Sequence, residues 1–150
     1  MTMALHNLFF REHNRIADAL SAAHPNWTDE ILFQEARRIV VAEIQHITYG
    51  EYLPKVLGDD YMELYSLKPL QNGTAQYSRN VNPNTRNGFA AAGVFHSHSG
   101  IRSTVTIGNI EYPLSSIFFN PDVFYEGSEA PTAIFQGLLN DLSQMIDRSV

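Results

Sequence analysis

The 150-residue sequence predicts a mainly α-helical fold with one small β-hairpin at about residues 104–112. Two observations predict this fold class. Apolar residues recur at intervals of three, four and seven along much of the chain, which is the spacing of one face of an α-helix. Gly108-Asn109 is a dipeptide typical of two-residue hairpin turns, and a short β-prone segment lies on each side of it.

The first helix is expected from about residue 4 to residue 22, and Pro25 marks its end. The residues of its apolar stripe are Leu5, Leu8, Phe9, Ile16 and Leu20. His13 lies on the same stripe. We therefore interpret it as a core histidine whose ring nitrogens are hydrogen-bonded.

A second helix is expected from the N-cap Thr28 to about Tyr49, with acidic residues in its positive first turn. Gly50 is a potential interruption of this helix, and Pro54 is a stop. The two helices and the short loop between them predict a helical hairpin that needs a partner surface.

The middle of the chain predicts loops followed by a third helix. Residues 55–84 contain several Gly and Pro residues and an Asn-Pro dipeptide, which are typical of loops. One helical turn at most is expected there. Thr85 offers an N-cap for a helix to about residue 102, which includes three consecutive alanines at 90–92.

The last third of the chain predicts the hairpin, an irregular stretch and a final helix. Segments 104–107 and 110–112 pair across the turn, and residues 113–131 are aromatic-rich and irregular. From Ile134 onward the apolar periodicity is the strongest in the chain, so a helix is expected to run to the C-terminus without a cap.

Composition argues against several classes of partner and site. The net charge of −6 argues against nucleic acid, because phosphate binding relies on clustered Lys and Arg. The chain contains no cysteine, so it has no disulfide framework and no Cys-ligated metal site. No apolar run approaches the ~18 residues of a transmembrane helix, and no signal peptide is visible. Sequons at Asn26 and Asn72 matter only if the chain is secreted.

The candidate site lies at Phe95-His96-Ser97-His98-Ser99, where one residue separates two histidines. On a strand, both imidazoles would point to one face and could share a metal. On a helix they would lie about 200° apart, so one metal could be bound by only one of them. The preceding alanines favour a helix, on which His98 lies between Val94 and Ile101 on an apolar face. Spacing alone leaves two interpretations of His98, a hydrogen-bonded core histidine or an axial haem ligand.

In the strand interpretation, His-Ser-His resembles the metal motif of the deubiquitinase-type zinc metalloproteases. That motif continues with a Ser and an Asp, but Ile107 and Ile110 stand at those positions. The match therefore ends after three residues.

Blocks along nearly the whole chain resemble the animal haem peroxidase family (the peroxidase–cyclooxygenase superfamily, including peroxidasin, myeloperoxidase and peroxinectin types). Residues 5–15 read Leu-His-Asn-Leu-Phe-Phe-Arg-Glu-His-Asn-Arg, close to the family's Leu-His-Thr-Leu-Phe-x-Arg-Glu-His-Asn-Arg. Residues 34–40 and 45–54 follow in the family's order, and the second block ends Ile-Thr-Tyr-Gly-Glu-Tyr-Leu-Pro. Phe-Phe-Asn-Pro at 118–121 and Gln-Gly-Leu-Leu at 136–139 also match.

The resemblance implies haem b as the cofactor and His98 as the axial ligand of its iron. The family's proximal histidine follows Arg-x-Gly at the end of a helix, and an ungapped alignment places His98 there, with His96 as the runner-up. Phe95, His96 and Ser97 replace Arg-x-Gly, so a basic partner for a haem carboxylate is lost. Haem binding is expected to be weakened as a result.

The resemblance also implies that residues 1–150 are the central part of a larger peroxidase domain, whose remainder is a partner of this segment. In the family, the distal His and the catalytic Arg precede the Leu-His-x-Leu block, and the partner of the proximal imidazole follows Asp147-Arg148. No catalytic residue is therefore assigned in this chain. The family is mostly secreted or lumenal.

The parent enzyme would oxidise halides, phenols or tyrosines with hydrogen peroxide, in response to oxidative stress. The chain by itself is expected to be inactive. The alternative is a truncated pseudoenzyme that acts as a binding or interaction module.

Two other motifs are interpreted as structural. Arg11, Glu12 and Arg15 are expected to form hydrogen bonds and ion pairs between helices rather than a catalytic pair. Asp59-Asp60 is expected to be a solvated turn, because too few oxygen ligands follow it for a calcium site. The parent domain could still hold calcium elsewhere.

Overall fold

The computed structural model describes residues 2–73, 77–125 and 129–147, and it confirms a mainly helical fold with one antiparallel hairpin. The described helices are α1 (Thr2–Ala23), α2 (Asp29–Ile47), α3 (Leu53–Leu57), α4 (Asp59–Leu64), α5 (Asn87–Ala91) and α6 (Ala130–Asn140). The strands are β1 (Thr104–Ile107) and β2 (Ile110–Pro113). Single 3₁₀ turns lie at Gly93–Phe95, His98–Gly100, Leu114–Ile117 and Pro121–Phe124. The chain divides into two compact units, one of residues 5–78 and one of residues 1–4 with 79–150.

The unit of residues 5–78 is built on the predicted helical hairpin. Ile16 of α1 packs with Ala36 and Val40 of α2, and all three side chains are buried. Each large aliphatic side chain buried in this way contributes roughly 1.5–3 kcal/mol. The Thr28 hydroxyl accepts a hydrogen bond from the Ile31 amide at 3.4 Å, as the N-cap prediction requires.

A π-helical turn at Thr48–Tyr52 joins α2 to α3, so Pro54 does not stop the helix as predicted. The amide of Leu53 donates to the carbonyl of Thr48, five residues earlier. Proline has no amide hydrogen, and its ring clashes with the carbonyl four residues before it in a regular α-helix. A widened turn just before Pro54 relieves that conflict and lets the chain continue as α3.

The chain between α3 and α5 contains more helix than the single turn predicted. Gly58, with a φ of +77°, separates α3 from α4. Asp59 and Asp60 lie in the first turn of α4 rather than in a loop, where carboxylates favour the positive end of the helix. Asp59 is solvated as predicted, and its carboxylate lies 3.8 Å from the Lys68 ammonium.

The helix predicted from residue 85 to about residue 102 is broken into α5 and two 3₁₀ turns. Its N-cap is Arg86 rather than Thr85, and no side chain caps it. Ala92 leaves the helical conformation with a φ of −135°, next to Gly93. Glycine within a helix costs about 1 kcal/mol relative to alanine, so Gly88 and Gly93 offset the helix preference of the three alanines.

The second unit is formed by the hairpin, the turns that follow it and α6. Val105 pairs with Tyr112, and Ile107 pairs with Ile110 across Gly108, whose φ of +62° suits the tight turn. The core of this unit contains Ala4, Val123 and Ile134, all buried. The register confirms the predicted hairpin.

The final helix ends at Asn140, so the prediction that it reaches the C-terminus is wrong. Asp141 is extended, and its carboxylate accepts hydrogen bonds from the amide and hydroxyl of Thr106 at 2.8 and 3.0 Å. The Arg102 guanidinium lies 3.3 Å from the same carboxylate. These long-range bonds end the helix although the apolar periodicity continues beyond it.

We predict that Asp141→Asn reduces the dependence of stability on acid pH. The Thr106 amide, followed by its hydroxyl and by Arg102, holds the pKa of Asp141 below its usual range. A carboxyl with a lowered folded-state pKa stabilises the fold above its unfolded pKa of about 3.9, and this contribution is lost as the pH falls through the folded value. Thermal unfolding between about pH 6 and about pH 2.5 should therefore show a smaller acid-induced fall in the variant. The exposed Asp18→Asn is the control, and equal falls in all three proteins would contradict the assignment.

Candidate functional site

The unit that contains the hairpin has a half-open cavity of about 770 Å³, within the size range of small-molecule sites. Apolar side chains from the hairpin, from the turns after it and from α6 form most of its wall. The described lining residues are Thr2, Met3, His98, Ile101, Val105, Ile107, Leu114, Ile117, Phe118, Phe119, Asn120, Pro121, Val123 and Ile134. His98 is the one titratable side chain among them.

His98 begins the 3₁₀ turn at His98–Gly100, which directs its side chain to the cavity wall. The rings of His98 and Phe95 make an edge-to-face contact, with ring centroids 5.2 Å apart and planes at 75°. Among the described residues, no side chain or backbone group forms a hydrogen bond to the imidazole nitrogens. The ring is therefore held on one side by an aromatic contact and keeps a nitrogen lone pair for a ligand.

His96 has a different environment, although it is only two residues away. Its Nδ1 lies 2.9 Å from the carbonyl oxygen of Gly93, which fits an Nδ1–H donor and leaves Nε2 as the acceptor. His96 is exposed and does not line the cavity. The structure thus separates the two candidates by position, because His98 lines the cavity and His96 does not, although both residues are exposed.

The strand interpretation of His96-Ser97-His98 is wrong, because this segment lies in helical turns. Within residues 2–73, 77–125 and 129–147, no three His, Asp or Glu side chains come together to hold a metal ion. Haem iron needs only one protein ligand on its proximal side, since the porphyrin supplies four nitrogens. The donor set at the cavity fits that requirement.

In the charged motif of α1, Glu12 and Arg15 form an ion pair, but this pair lies within the helix rather than between helices as predicted. The Arg15 Nε donates to the Glu12 carboxylate at 2.8 Å, one helical turn away. This hydrogen bond lowers the pKa of Glu12 and raises that of Arg15. Residues at i and i+3 are neighbours on a helix surface, so the spacing itself contained this signal.

His13 is hydrogen-bonded, as predicted. Its Nε2 lies 3.1 Å from the Phe33 carbonyl oxygen, and its Nδ1 lies 3.2 Å from the Asn14 side-chain oxygen. Its ring also packs against Phe33, with ring centroids 4.9 Å apart. His13 is half-buried and links α1 to α2, so it has no free nitrogen for a cofactor.

Sequence reasoning missed the apolar residues that form the cavity around His98. Val105, Ile107, Leu114 and Ile134 come from three separate elements, and each reads locally as an ordinary core residue. Only the paired hairpin and its packing against α6 bring them together. No local motif marks such a set.

The sequence model of the family described as animal haem peroxidase matches residues 1–150, the whole chain. The chain belongs to the animal haem peroxidase family. It is 38% identical over 154 aligned residues to a chorion peroxidase of Drosophila melanogaster, and the match covers 99% of this chain and 19% of that protein. It is 43% identical to a lactoperoxidase of Mesocricetus auratus, with 77% of this chain and 16% of that protein covered.

A solved structure has the same fold over nearly the full chain. Peroxidase A of Dictyostelium discoideum superposes with a TM-score of 0.78 at 30% identity, covering 96% of this chain and 27% of that one. The chain spans about a fifth or less of the length of the two curated relatives described above. In the described ranges, every helix is too short or too polar to cross a membrane.

Proposed function

We propose that this chain forms the proximal side of a haem peroxidase site, with His98 as the axial ligand of haem b. The observation that carries the proposal is His98 itself, the one titratable side chain among the described residues that line the 770 Å³ cavity. Family membership supports haem as the ligand of that cavity.

The residues of this chain have separate tasks in the proposed site. The His98 imidazole would hold the iron, the edge contact with Phe95 would restrict the rotation of that ring, and the mainly apolar wall would contact the porphyrin face. When bound, haem supplies the redox chemistry by which peroxidases use hydrogen peroxide to oxidise donors such as halides, phenols or tyrosines. Phe95 is uncharged and half exposed, so it cannot pair with a haem carboxylate, and we expect the affinity to be modest.

We further propose that residues 1–150 are one part of a larger peroxidase domain. The short span relative to the curated relatives supports this proposal. A distal histidine as acid–base and an arginine that stabilises developing charge would then come from other parts of the domain. The alternative is a pseudoenzyme that acts as a binding module, and coding sequence for a distal histidine upstream of this segment would contradict that alternative.

Titration of the full 150-residue chain with haemin, followed by the Soret band, tests this function. We expect saturable binding at one haem per chain, with a spectrum typical of histidine ligation, and no guaiacol oxidation beyond that of free haem. A Soret spectrum identical to that of free haemin would contradict the haem site. Turnover that needs both haem and His98 would contradict the predicted inactivity of the chain.

We propose a secreted or lumenal location and haem as the partner, with no nucleic-acid partner. The net charge of −6 supports the last point. Asn26 lies exposed in the loop between α1 and α2, within an Asn-Trp-Thr sequon. In the proposed location this asparagine would be open to N-glycosylation, and mass spectrometry of chain produced through a secretory pathway checks it.

A further inference from the structure

The segment after α6 lies along the turn that carries His98 and bonds its carbonyl groups. The backbone amide of Gln144 donates to the Gly100 carbonyl at 2.9 Å. The side-chain amide of Gln144 donates to the carbonyls of Ser99 at 3.2 Å and of Ile101 at 2.7 Å. One residue thus bonds the three consecutive carbonyl oxygens that follow His98.

Two further contacts fix the same segment against the turn. The amide of Asp147 donates to the Ser99 hydroxyl at 3.0 Å. Gly100 is buried, and a Cβ placed on it would lie 3.6 Å from Ile146 Cγ1. Residues 144–147 therefore follow the turn along its whole length instead of touching it at one point.

The turn needs such support because its own hydrogen bonds are few. The Gly100 amide donates to the Ser97 carbonyl, and the Ile101 amide donates to the His98 carbonyl, each at 3.0 Å. Hydrogen bonds in 3₁₀ turns have poorer geometry than those in α-helices, and short runs of them depend on tertiary contacts. The conformation of this turn sets the direction of the His98 Cα–Cβ bond and hence the place of the imidazole on the cavity wall.

We propose that Gln144 is a positioning residue, which fixes the His98 turn and thereby aims the imidazole into the cavity. The inference rests on the proposed function, in which His98 holds haem iron. The chemistry selects an amide at this place, because both N–H groups of Gln144 are used on carbonyl oxygens. A carboxylate of the same shape has no donor and would repel those oxygens.

Haem titration and spectroscopy of Gln144→Ala and Gln144→Glu in the full chain test this role. Gln144→Glu keeps the side-chain volume, so it isolates the loss of the two donated hydrogen bonds. We expect the haem dissociation constant to rise roughly 3- to 30-fold in both variants, as the loss of two exposed hydrogen bonds implies. We also expect the iron–histidine stretching band of the ferrous form to shift or broaden. The matched control is Gln136→Ala, an exposed glutamine on α6, which should leave both readouts unchanged.

Amide hydrogen exchange at Gly100 and Ile101 in the haem-free chain separates positioning from general support. Faster exchange together with a shifted band supports the proposal, whereas faster exchange with an unchanged band and affinity overturns it. His98→Ala, measured in parallel, isolates the proposed function. If His98→Ala retains the wild-type spectrum, the proposed function fails and this inference fails with it. If His98→Ala loses that spectrum while the Gln144 variants match wild type, only this inference fails.

Discussion

His98→Ala should abolish the histidine-ligated Soret band and lower haem affinity by more than roughly 100-fold. Loss of a residue that only hydrogen-bonds a metal ligand already lowers metal affinity by about 10- to 100-fold, and loss of the ligand itself should cost more. The remaining cavity wall offers haem mainly apolar contact, since no other lining residue among those described is titratable and only Thr2 and Asn120 among them are polar. Apolar burial would still retain some haem, but without an imidazole bond to the iron. The measurement is a haemin titration of the variant beside wild type, followed by absorbance and by the iron–histidine band.

His96→Ala is the matched control for that variant. His96 is exposed, lies two residues away and does not line the cavity, so its removal should leave the spectrum unchanged. Added imidazole should restore a ligated spectrum to His98→Ala, because a small ligand can occupy the space that the side chain leaves. If His96→Ala loses the band and His98→Ala keeps it, His96 is the iron ligand instead of His98.

The sequence predicted those parts of the fold that depend on local chemistry. The hairpin of α1 and α2 follows from one apolar stripe on each helix and from the Thr28 cap, and the β-hairpin follows from Gly108-Asn109. The error at the end of α6 has a non-local cause, because Thr106 lies 35 residues from the Asp141 that it bonds. The apolar periodicity does not record that contact.

The site was predictable only in part, for a related reason. A residue-by-residue resemblance indicated His98, and the structure places that residue on an apolar cavity, whereas spacing alone favoured a core histidine. The cavity wall and the Gln144 contacts involve segments more than 40 residues apart, and nothing in residues 144–147 suggests that they support a turn at residues 98–101. The prediction that Glu12 and Arg15 pair between helices overlooked the simpler i, i+3 contact.

Gly137→Ala should destabilise the second unit by about 3 kcal/mol, near the upper end of overpacking effects. A Cβ at residue 137 would lie 1.7 Å from the Thr106 carbonyl oxygen and 2.8 Å from its carbonyl carbon. Both are backbone atoms of β1, so no side-chain rotation can relieve the clash, and α6 must move away from the hairpin. Because β1 and α6 both line the cavity, the same shift should weaken haem binding at His98. Urea unfolding and haem titration of the variant measure the two effects.

Gly88→Ala provides the matched control for this substitution. Gly88 lies in α5, and a Cβ there would meet no atom within 4 Å. Alanine in place of glycine should stabilise the helix by up to about 1 kcal/mol, because it removes backbone freedom from the unfolded chain. The two identical chemical changes should therefore shift the unfolding midpoint in opposite directions. Equal midpoints would mean that α6 does not approach β1 as closely as the structure has it, and the shape of the cavity would then need revision.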